Sequence, residues 1–168
     1  MSITIPDVVA ALDLEPHPEG GYYRETFRSE ELVITPRGPR AASTAILFLI
    51  ADSSPSRFHR LVADELWLYH GGARLELTTL LPDTRVERVV LGGAGLVATD
   101  AEVTPQAIVP GGVWQGARVL VGEGVDWVLV SCVVTPGFDF ADFELAEREA
   151  LLVGWPDAEE RILELTAV

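Results

Sequence analysis

The sequence predicts an all-β protein, built as a sandwich or barrel, with a short N-terminal helix and one or two C-terminal helices. From residue 22 to residue 134, short segments rich in Val, Leu, Ile and aromatic residues alternate with Gly and Pro punctuation. Such segments are typical of strands in sandwiches and barrels. No repeat or linker divides the 168 residues. We therefore expect one domain over 1–168, with a barrel at about 20–136 and a C-terminal segment at 137–168.

The two ends of the chain carry helical rather than strand periodicity. An apolar stripe over residues 8–12 predicts a short amphipathic helix. Near the C-terminus, 146–153 and 157–165 have Leu and Ile at helical spacing. Asp157 is placed to cap the second of these helices, with Arg161 pairing back to it.

Pro82-Asp83-Thr84 gives the clearest turn signal in the chain. It separates two apolar segments at 75–81 and 85–91, and proline pre-sets the backbone dihedral that a tight turn needs. The sequence therefore predicts a β-hairpin at this position.

The net charge of the protein limits the kinds of binding partner that we expect. Lys and Arg total 12 against 26 Asp and Glu, which gives a net charge of −14. A surface of this sign repels phosphate backbones and anionic membranes, so we expect no nucleic-acid and no membrane partner. The N-terminus lacks the basic and apolar regions of a secretory signal, which favours a cytoplasmic location.

Polar and aromatic side chains recur on one face of two consecutive predicted strands. The first strand carries Arg57 and His59 on one side, and the second carries Glu65, Trp67 and Tyr69. If both faces point inward, these residues line one cavity. A carboxylate among apolar neighbours is costly to bury alone, so Arg57 or His59 is expected to pair with Glu65.

Several motifs together resemble the cupin superfamily. The segment from His59 through Glu65 to Gly72 resembles its first motif, and 110–115 resembles its second. More narrowly, the chain resembles a group of uncharacterised single-domain cupins related in fold to dTDP-sugar epimerases. The motifs that carry this narrower resemblance are His17-Pro18-Glu19-Gly20-Gly21-Tyr22-Tyr23, Ser56-Arg57-Phe58-His59-Arg60, Glu65-Leu66-Trp67, Pro110-Gly111-Gly112-Val113-Trp114-Gln115 and Pro136-Gly137-Phe138-Asp139-Phe140.

The resemblance implies a double-stranded β-helix, or cupin jelly-roll, with a pocket at the open end of the barrel. It also implies a homodimer, in which the strand at 22–28 is a candidate to lie on the partner's sheet edge. It implies no single reaction, because this fold hosts enzymes and binding proteins alike.

Two positions depart from the metal-binding form of these motifs. Leu61 stands where the second histidine of the first motif is expected, and Gln115 stands where the second motif has its histidine. His59, Glu65 and Gln115 would form only a weak donor set, because a neutral amide oxygen replaces imidazole poorly. We therefore expect no cofactor, or at most a weakly bound divalent metal.

Three functions stay open. The first is a metal-independent, isomerase- or epimerase-like enzyme acting on a small polar or carbohydrate-like molecule. There His59 is the base, Glu65 orients it and Tyr23 or Tyr69 returns a proton. The second is a cupin that binds a small ligand without turnover, and the third is a weakly metal-dependent cupin enzyme. The candidate ligand-binding residues are Arg57, Trp67, Tyr69, Gln115 and Glu25.

Three further reactive side chains are expected to be structural. His17 lies between two prolines and predicts a loop contact, with a place at the pocket rim as the alternative. His70 lies on the opposite side of its strand from Glu65 and is expected at the surface. Cys132 lies inside an apolar run and is expected to be a small buried hydrophobe.

Overall fold

The computed structural model describes residues 3–97, 102–122 and 124–167. Short extended segments rich in β-branched and aromatic residues form strands, and the terminal amphipathic segments form helices. The α-helices are α1 (Ile5–Leu12), α2 (Ala94–Val97), α3 (Arg148–Gly154) and α4 (Glu159–Glu164). The strands are β1 (Glu15–Pro16), β2 (Tyr22–Arg28), β3 (Leu32–Thr35), β4 (Gly38–Ala41), β5 (Thr44–Ala51), β6 (Ser56–Leu61), β7 (Asp64–Gly72), β8 (Arg74–Leu80), β9 (Val86–Leu91), β10 (Val103–Thr104), β11 (Gln106–Val109), β12 (Trp114–Leu120), β13 (Trp127–Thr135) and β14 (Phe143–Leu145).

Two six-stranded sheets form the body of the protein. The first has the order β1-β2-β5-β13-β7-β11, and the second has the order β10-β9-β8-β12-β6-β14. From β5 to β8 the chain alternates between the two sheets at every strand, which is the winding of a double-stranded β-helix. The predicted all-β jelly-roll with short terminal helices is confirmed.

The main core lies between the inner faces of the two sheets. Phe48 and Ile50 of β5 and Trp67 of β7 meet Leu75 and Leu77 of β8, and all five side chains are buried. Burying each such side chain stabilises the fold by about 1.5–3 kcal/mol. This packing fixes the strands that carry the candidate site.

The hairpin predicted at Pro82-Asp83-Thr84 is confirmed. It joins β8 to β9, which pair antiparallel with Leu80 opposite Val86. The predicted N-terminal helix is present as α1, and its C-cap residue Asp13 adopts a left-handed conformation.

The C-terminal helices pack on the second sheet through a separate apolar cluster. Leu151 of α3, Ile162 of α4 and Leu165 are fully buried against Phe58 and Leu80. The helices are therefore part of the packed structure, as their apolar periodicity predicts.

The predicted helix cap at Asp157 is wrong. Asp157 lies in a short 3₁₀ turn, Pro156–Ala158, and α4 begins after it without a side-chain cap. The Arg161 guanidinium contacts Glu76 of β8 at 2.7 Å and Glu164 at 2.8 Å instead. The physical reason is burial: the Arg161 side chain is buried against the sheet, where Glu76 pairs with it, whereas Asp157 is exposed to solvent.

The outer edge of β2 is the structural counterpart of the predicted dimer contact. β1 pairs only with Tyr22 and Tyr23, and no other described strand covers this edge at 24–28. Phe27 on this stretch is 54% exposed. The homodimer and the cytoplasmic location stay predictions. No helix in the described ranges combines the length and apolarity needed to cross a membrane.

Candidate active site

A cavity of about 760 Å³ opens at the end of the barrel beside β2 and β5. We call its buried polar side chains the floor and its exposed residues the rim. The floor consists of His17, Glu19, His59, Glu65 and Cys132. The rim consists of Asp13, Glu15, Arg24, Glu25, Arg28, Asp139 and Phe140.

Two consecutive strands and a loop far from them in sequence position the acid–base side chains of the floor. β6 supplies His59, β7 supplies Glu65, and the loop before β2 supplies Glu19. The Ser56 hydroxyl donates to Glu19 Oε1 at 2.7 Å, and the backbone N–H of Arg57 donates to the Glu19 carbonyl at 2.8 Å. The loop and the start of β6 thus hold the Glu19 carboxylate over the cavity.

His59 lies between two carboxylates. Its Nδ1 is 2.8 Å from the Arg57 carbonyl, which only accepts hydrogen bonds, so Nδ1 carries a proton. Its Nε2 is 3.3 Å from Glu19 Oε2 and 4.0 Å from Glu65 Oε2. A second proton on Nε2 therefore faces two acceptors, and the contacts favour the imidazolium form.

The surroundings shift the pKa values of this group strongly. Burial by itself lowers the pKa of His59, but Glu19 and Glu65 outweigh burial and raise it to about 9. Burial raises the pKa of Glu19 to about 7, although His59 acts in the opposite direction. The sequence predicts His59 as a base; the two carboxylates beside it favour its protonated form near neutral pH, and its catalytic role stays a prediction.

His17 belongs to the floor as a neutral imidazole. Its Nδ1 accepts a hydrogen bond from the backbone N–H of Glu19 at 3.3 Å and lies 3.4 Å from Glu19 Oε2. Burial and the charge on His59 lower the pKa of His17 to about 4. His17 thus makes the predicted loop contact and also borders the cavity.

Trp67 and Gln115 form a chain of hydrogen bonds that ends at Glu65. The Trp67 indole N–H donates to Gln115 Oε1 at 2.9 Å, and Gln115 Nε2 donates to Glu65 Oε2 at 2.5 Å. An indole nitrogen is only a donor, which fixes the amide orientation. Gln115 therefore turns its NH₂ group, and not its oxygen, toward Glu65.

The orientation of the Gln115 amide affects whether this site could hold a metal ion as the metal-binding form of the motif does. The only Gln115 atom suited to a cation is engaged by Trp67, and Leu61 has no donor atom. Among the described residues no group of three or more His, Cys, Asp or Glu side chains has the spacing of a metal site. The side chains present do not fit the four-donor metal site of the motif.

The other predicted site residues are divided between the cavity and its surroundings. Tyr23 and Glu25 line the cavity. Arg57 instead donates to the carbonyls of Pro18 and Glu19, so its guanidinium serves the loop. Tyr69 donates to the Gly72 carbonyl at 2.6 Å. Neither Trp67 nor Tyr69 lines the cavity; Trp67 contacts residues of the site through its hydrogen bond to Gln115 and its packing on Phe48.

The remaining two reactive side chains are Cys132, which is buried, and His70, which is exposed, as the sequence predicts. Cys132 is 2% exposed, and burial raises the pKa of its thiol well above the usual range. Its sulfur nevertheless borders the cavity floor. His70 is exposed and contacts the Ser131 hydroxyl at 2.6 Å, outside the cavity.

Glu19 is the principal residue that sequence reasoning missed. It lies in the motif His17-Pro18-Glu19-Gly20-Gly21, but the contact that buries it is with Ser56, 37 residues away. The signal available in the sequence was the glycine pair that directly follows Glu19. Gly20 and Gly21 both adopt positive φ, of 114° and 66°, which marks a tightly built loop.

Comparison with known proteins identifies the family. Residues 6–146 match the family model described as Cupin superfamily (DUF985). A relative in Saccharomyces cerevisiae, uncharacterized protein YML079W, is 33% identical over 146 residues, which is 79% of this chain and 70% of the relative.

Two solved structures are similar over nearly the whole chain. A hypothetical protein from Leishmania major has a TM-score of 0.87 and 36% identity, over 98% of this chain and 99% of the other. Protein SO0799 from Shewanella oneidensis has a TM-score of 0.86 and 36% identity, over 99% of both chains. The chain therefore belongs to the Cupin superfamily, in the family described as DUF985.

Proposed function

We propose that the protein binds a small polar molecule in the barrel cavity and transfers protons on it without a metal, as an isomerase or epimerase does. The observation that carries the proposal is the buried His59, held between Glu19 and Glu65 at the floor of an open cavity. Titratable groups with shifted pKa values in a cleft are typical of acid–base catalysts.

The roles follow from the protonation states. The His59 imidazolium donates its Nε2 proton toward a substrate carbonyl oxygen. The Glu19 carboxylate removes the proton from the adjacent carbon; the C–H bond breaks and its electrons form an enol. Return of a proton to that carbon, with transfer of the enol O–H proton back to His59 Nε2, restores the carbonyl and the imidazolium. Glu65 holds the positive charge on His59, and Gln115 holds Glu65.

Tyr23 is the second proton-transfer group that an epimerisation needs. Its ring borders the same cavity, and its hydroxyl interacts with Glu15 at the rim. Burial raises the pKa of Tyr23, so its hydroxyl keeps a proton to donate near neutral pH. A base on one side of a carbon and an acid on the other invert its configuration.

The test is exchange of substrate hydrogen with solvent deuterium. A panel of keto- and aldo-sugars is incubated with the wild type, Glu19→Gln and His59→Gln in D₂O and followed by NMR. We expect exchange that falls at least about 100-fold in both variants, the usual contribution of a positioned acid or base. Glu31→Gln, an exposed carboxylate outside the cavity, is the matched control and should exchange like the wild type.

Two outcomes count against catalysis. Exchange that persists in both floor variants would exclude these roles. Saturable sugar binding without exchange would favour the alternative, a cupin that binds a small ligand without turnover.

A further inference from the structure

We infer that the ligand carries a protonated amine, which the cavity rim binds while the uncharged polar part of the ligand reaches the floor. The inference rests on the proposed function in one respect, that the ligand enters this cavity. It does not depend on turnover.

The rim has two more carboxylates than guanidinium groups. Its acids are Asp13, Glu15, Glu25 and Asp139, and its cations are Arg24 and Arg28. Arg28 donates to both Glu25 oxygens, at 2.9 Å and 2.6 Å, so this pair neutralises itself. The surplus of two carboxylates therefore lies among Asp13, Glu15 and Asp139, which face Arg24 as the remaining rim cation.

Asp139 is partly engaged by its own loop. Its Oδ1 accepts the backbone N–H of Ala141 at 2.8 Å. Asp13 and Glu15 flank a single residue of the chain and have no guanidinium or imidazole within ion-pair distance in the described residues. Both are exposed at the rim. They form the acidic side of the entrance.

The floor has no net positive charge to attract an anionic ligand. Glu19 and Glu65 oppose a single imidazolium on His59, because His17 is neutral. Arg57, which the sequence offered as a candidate ligand-binding residue, is engaged by the carbonyls of Pro18 and Glu19. An anionic ligand would therefore meet carboxylates at both levels of the cavity.

Aromatic rings at the entrance favour the same class of ligand. Tyr23 and Phe140 border the rim, and Phe140 is 53% exposed. The face of an aromatic ring attracts a cation, and the attraction increases when the cation is partly desolvated. Carboxylates and aromatic rings that line the same cavity together favour an ammonium group over an anion.

Three probes with one ring and three charges test the inference. Glucosamine is cationic, glucose is neutral and glucuronate is anionic, so the comparison isolates charge. Affinities are measured by NMR shifts of cavity residues at low and at high salt. We expect glucosamine to bind at least about 10-fold more tightly than glucuronate, with glucose between them. Added salt should reduce the difference, because it screens charges at an exposed rim.

A pair of charge-matched variants separates the rim from the overall charge of the protein. Asp13→Asn/Glu15→Gln should lose most of the preference for glucosamine. Glu30→Gln/Glu31→Gln removes the same charge from exposed sites outside the cavity and should keep the preference.

Several results would overturn the inference. These are equal affinities, tighter binding of glucuronate, no shift of cavity residues with millimolar glucosamine, or loss of the preference in the Glu30/Glu31 control. The deuterium-exchange result does not enter this comparison, so failure of catalysis and failure of the charge preference are distinguishable.

Discussion

At the scale of single residues, the Glu19 carboxylate joins most of the floor. One of its oxygens accepts the Ser56 hydroxyl, and the other lies within 3.4 Å of nitrogens on both His17 and His59. The Glu19 carboxylate raises the pKa of His59, whereas burial and the charge on His59 lower the pKa of His17, so the two histidines differ in charge. The site therefore holds a proton donor and a neutral imidazole side by side.

The raised pKa of His59 predicts how stability depends on pH. Its folded-state pKa of about 9 exceeds the ordinary value of 6.5, so its contribution is full below pH 6.5 and is lost as pH rises through 9. The free energy of unfolding should fall over this window, by at most about 1.4 kcal/mol per pH unit for one proton. Glu19→Gln should flatten the fall, because it removes a charge that raises the His59 pKa. Urea unfolding at several pH values measures this, and an unchanged slope in Glu19→Gln would contradict it.

The buried amide of Gln115 predicts a stability cost of its own. Gln115→Leu preserves much of the volume but leaves the Trp67 N–H without a partner and removes the Gln115 hydrogen bond to Glu65 Oε2. We expect a loss of about 1–3 kcal/mol in the free energy of unfolding, the usual cost of an unsatisfied buried group. Gln106→Leu, on an exposed position of β11, is the control and should change it by less than about 0.5 kcal/mol. Equal effects of Gln115→Leu and Gln106→Leu would contradict the role of the hydrogen bonds that run from Trp67 through Gln115 to Glu65.

Strand parity predicts faces but not neighbours. Alternation correctly put His59 on a buried face and grouped Glu65 with Trp67. It could not show that a loop about 40 residues earlier would cross the start of β6 and accept hydrogen bonds from the Arg57 guanidinium. Nor could it show that Gln115 would lie between Trp67 and Glu65, because that contact depends on pairing across the two sheets.

At the scale of elements, the loop before β2 depends on glycine. Gly20 has φ of 114°, and a Cβ placed there would lie 2.1 Å from the Pro55 carbonyl oxygen. Gly20→Ala should therefore destabilise the protein by more than about 1 kcal/mol and displace Glu19. Gly71→Ala meets no atom within 4 Å and is the matched control. Thermal unfolding of the two variants decides this; a neutral Gly20→Ala would show that the loop tolerates a side chain.

Local chemistry made some elements predictable and left others undetermined. The β8–β9 hairpin follows from its proline turn, and α1 follows from its apolar stripe, because both depend on near neighbours. The start of α4 does not, since Arg161 is oriented by Glu76 on a distant strand. The assignment of strands to two sheets is likewise a property of the whole fold.

At the scale of the molecule, the C-terminal helices should unfold together with the barrel. Leu165 is fully buried on Phe58, so Leu165→Ala should lower the free energy of unfolding by about 2–5 kcal/mol. Leu163→Ala, at a position 45% exposed, should cost far less. Circular dichroism and tryptophan fluorescence should report one coincident transition, as the single-domain prediction requires. Separate loss of helix would contradict it.

The lone thiol gives the cavity a chemical reporter. The chain has one cysteine, and its sulfur borders the floor, where a neutral thiol reacts slowly with alkylating reagents. Any reagent that alkylates the Cys132 thiol of the native protein must first pass the entrance of the cavity. The labelling rate, followed by mass spectrometry, should therefore fall in proportion to occupancy for any compound that fills the barrel, whatever its identity.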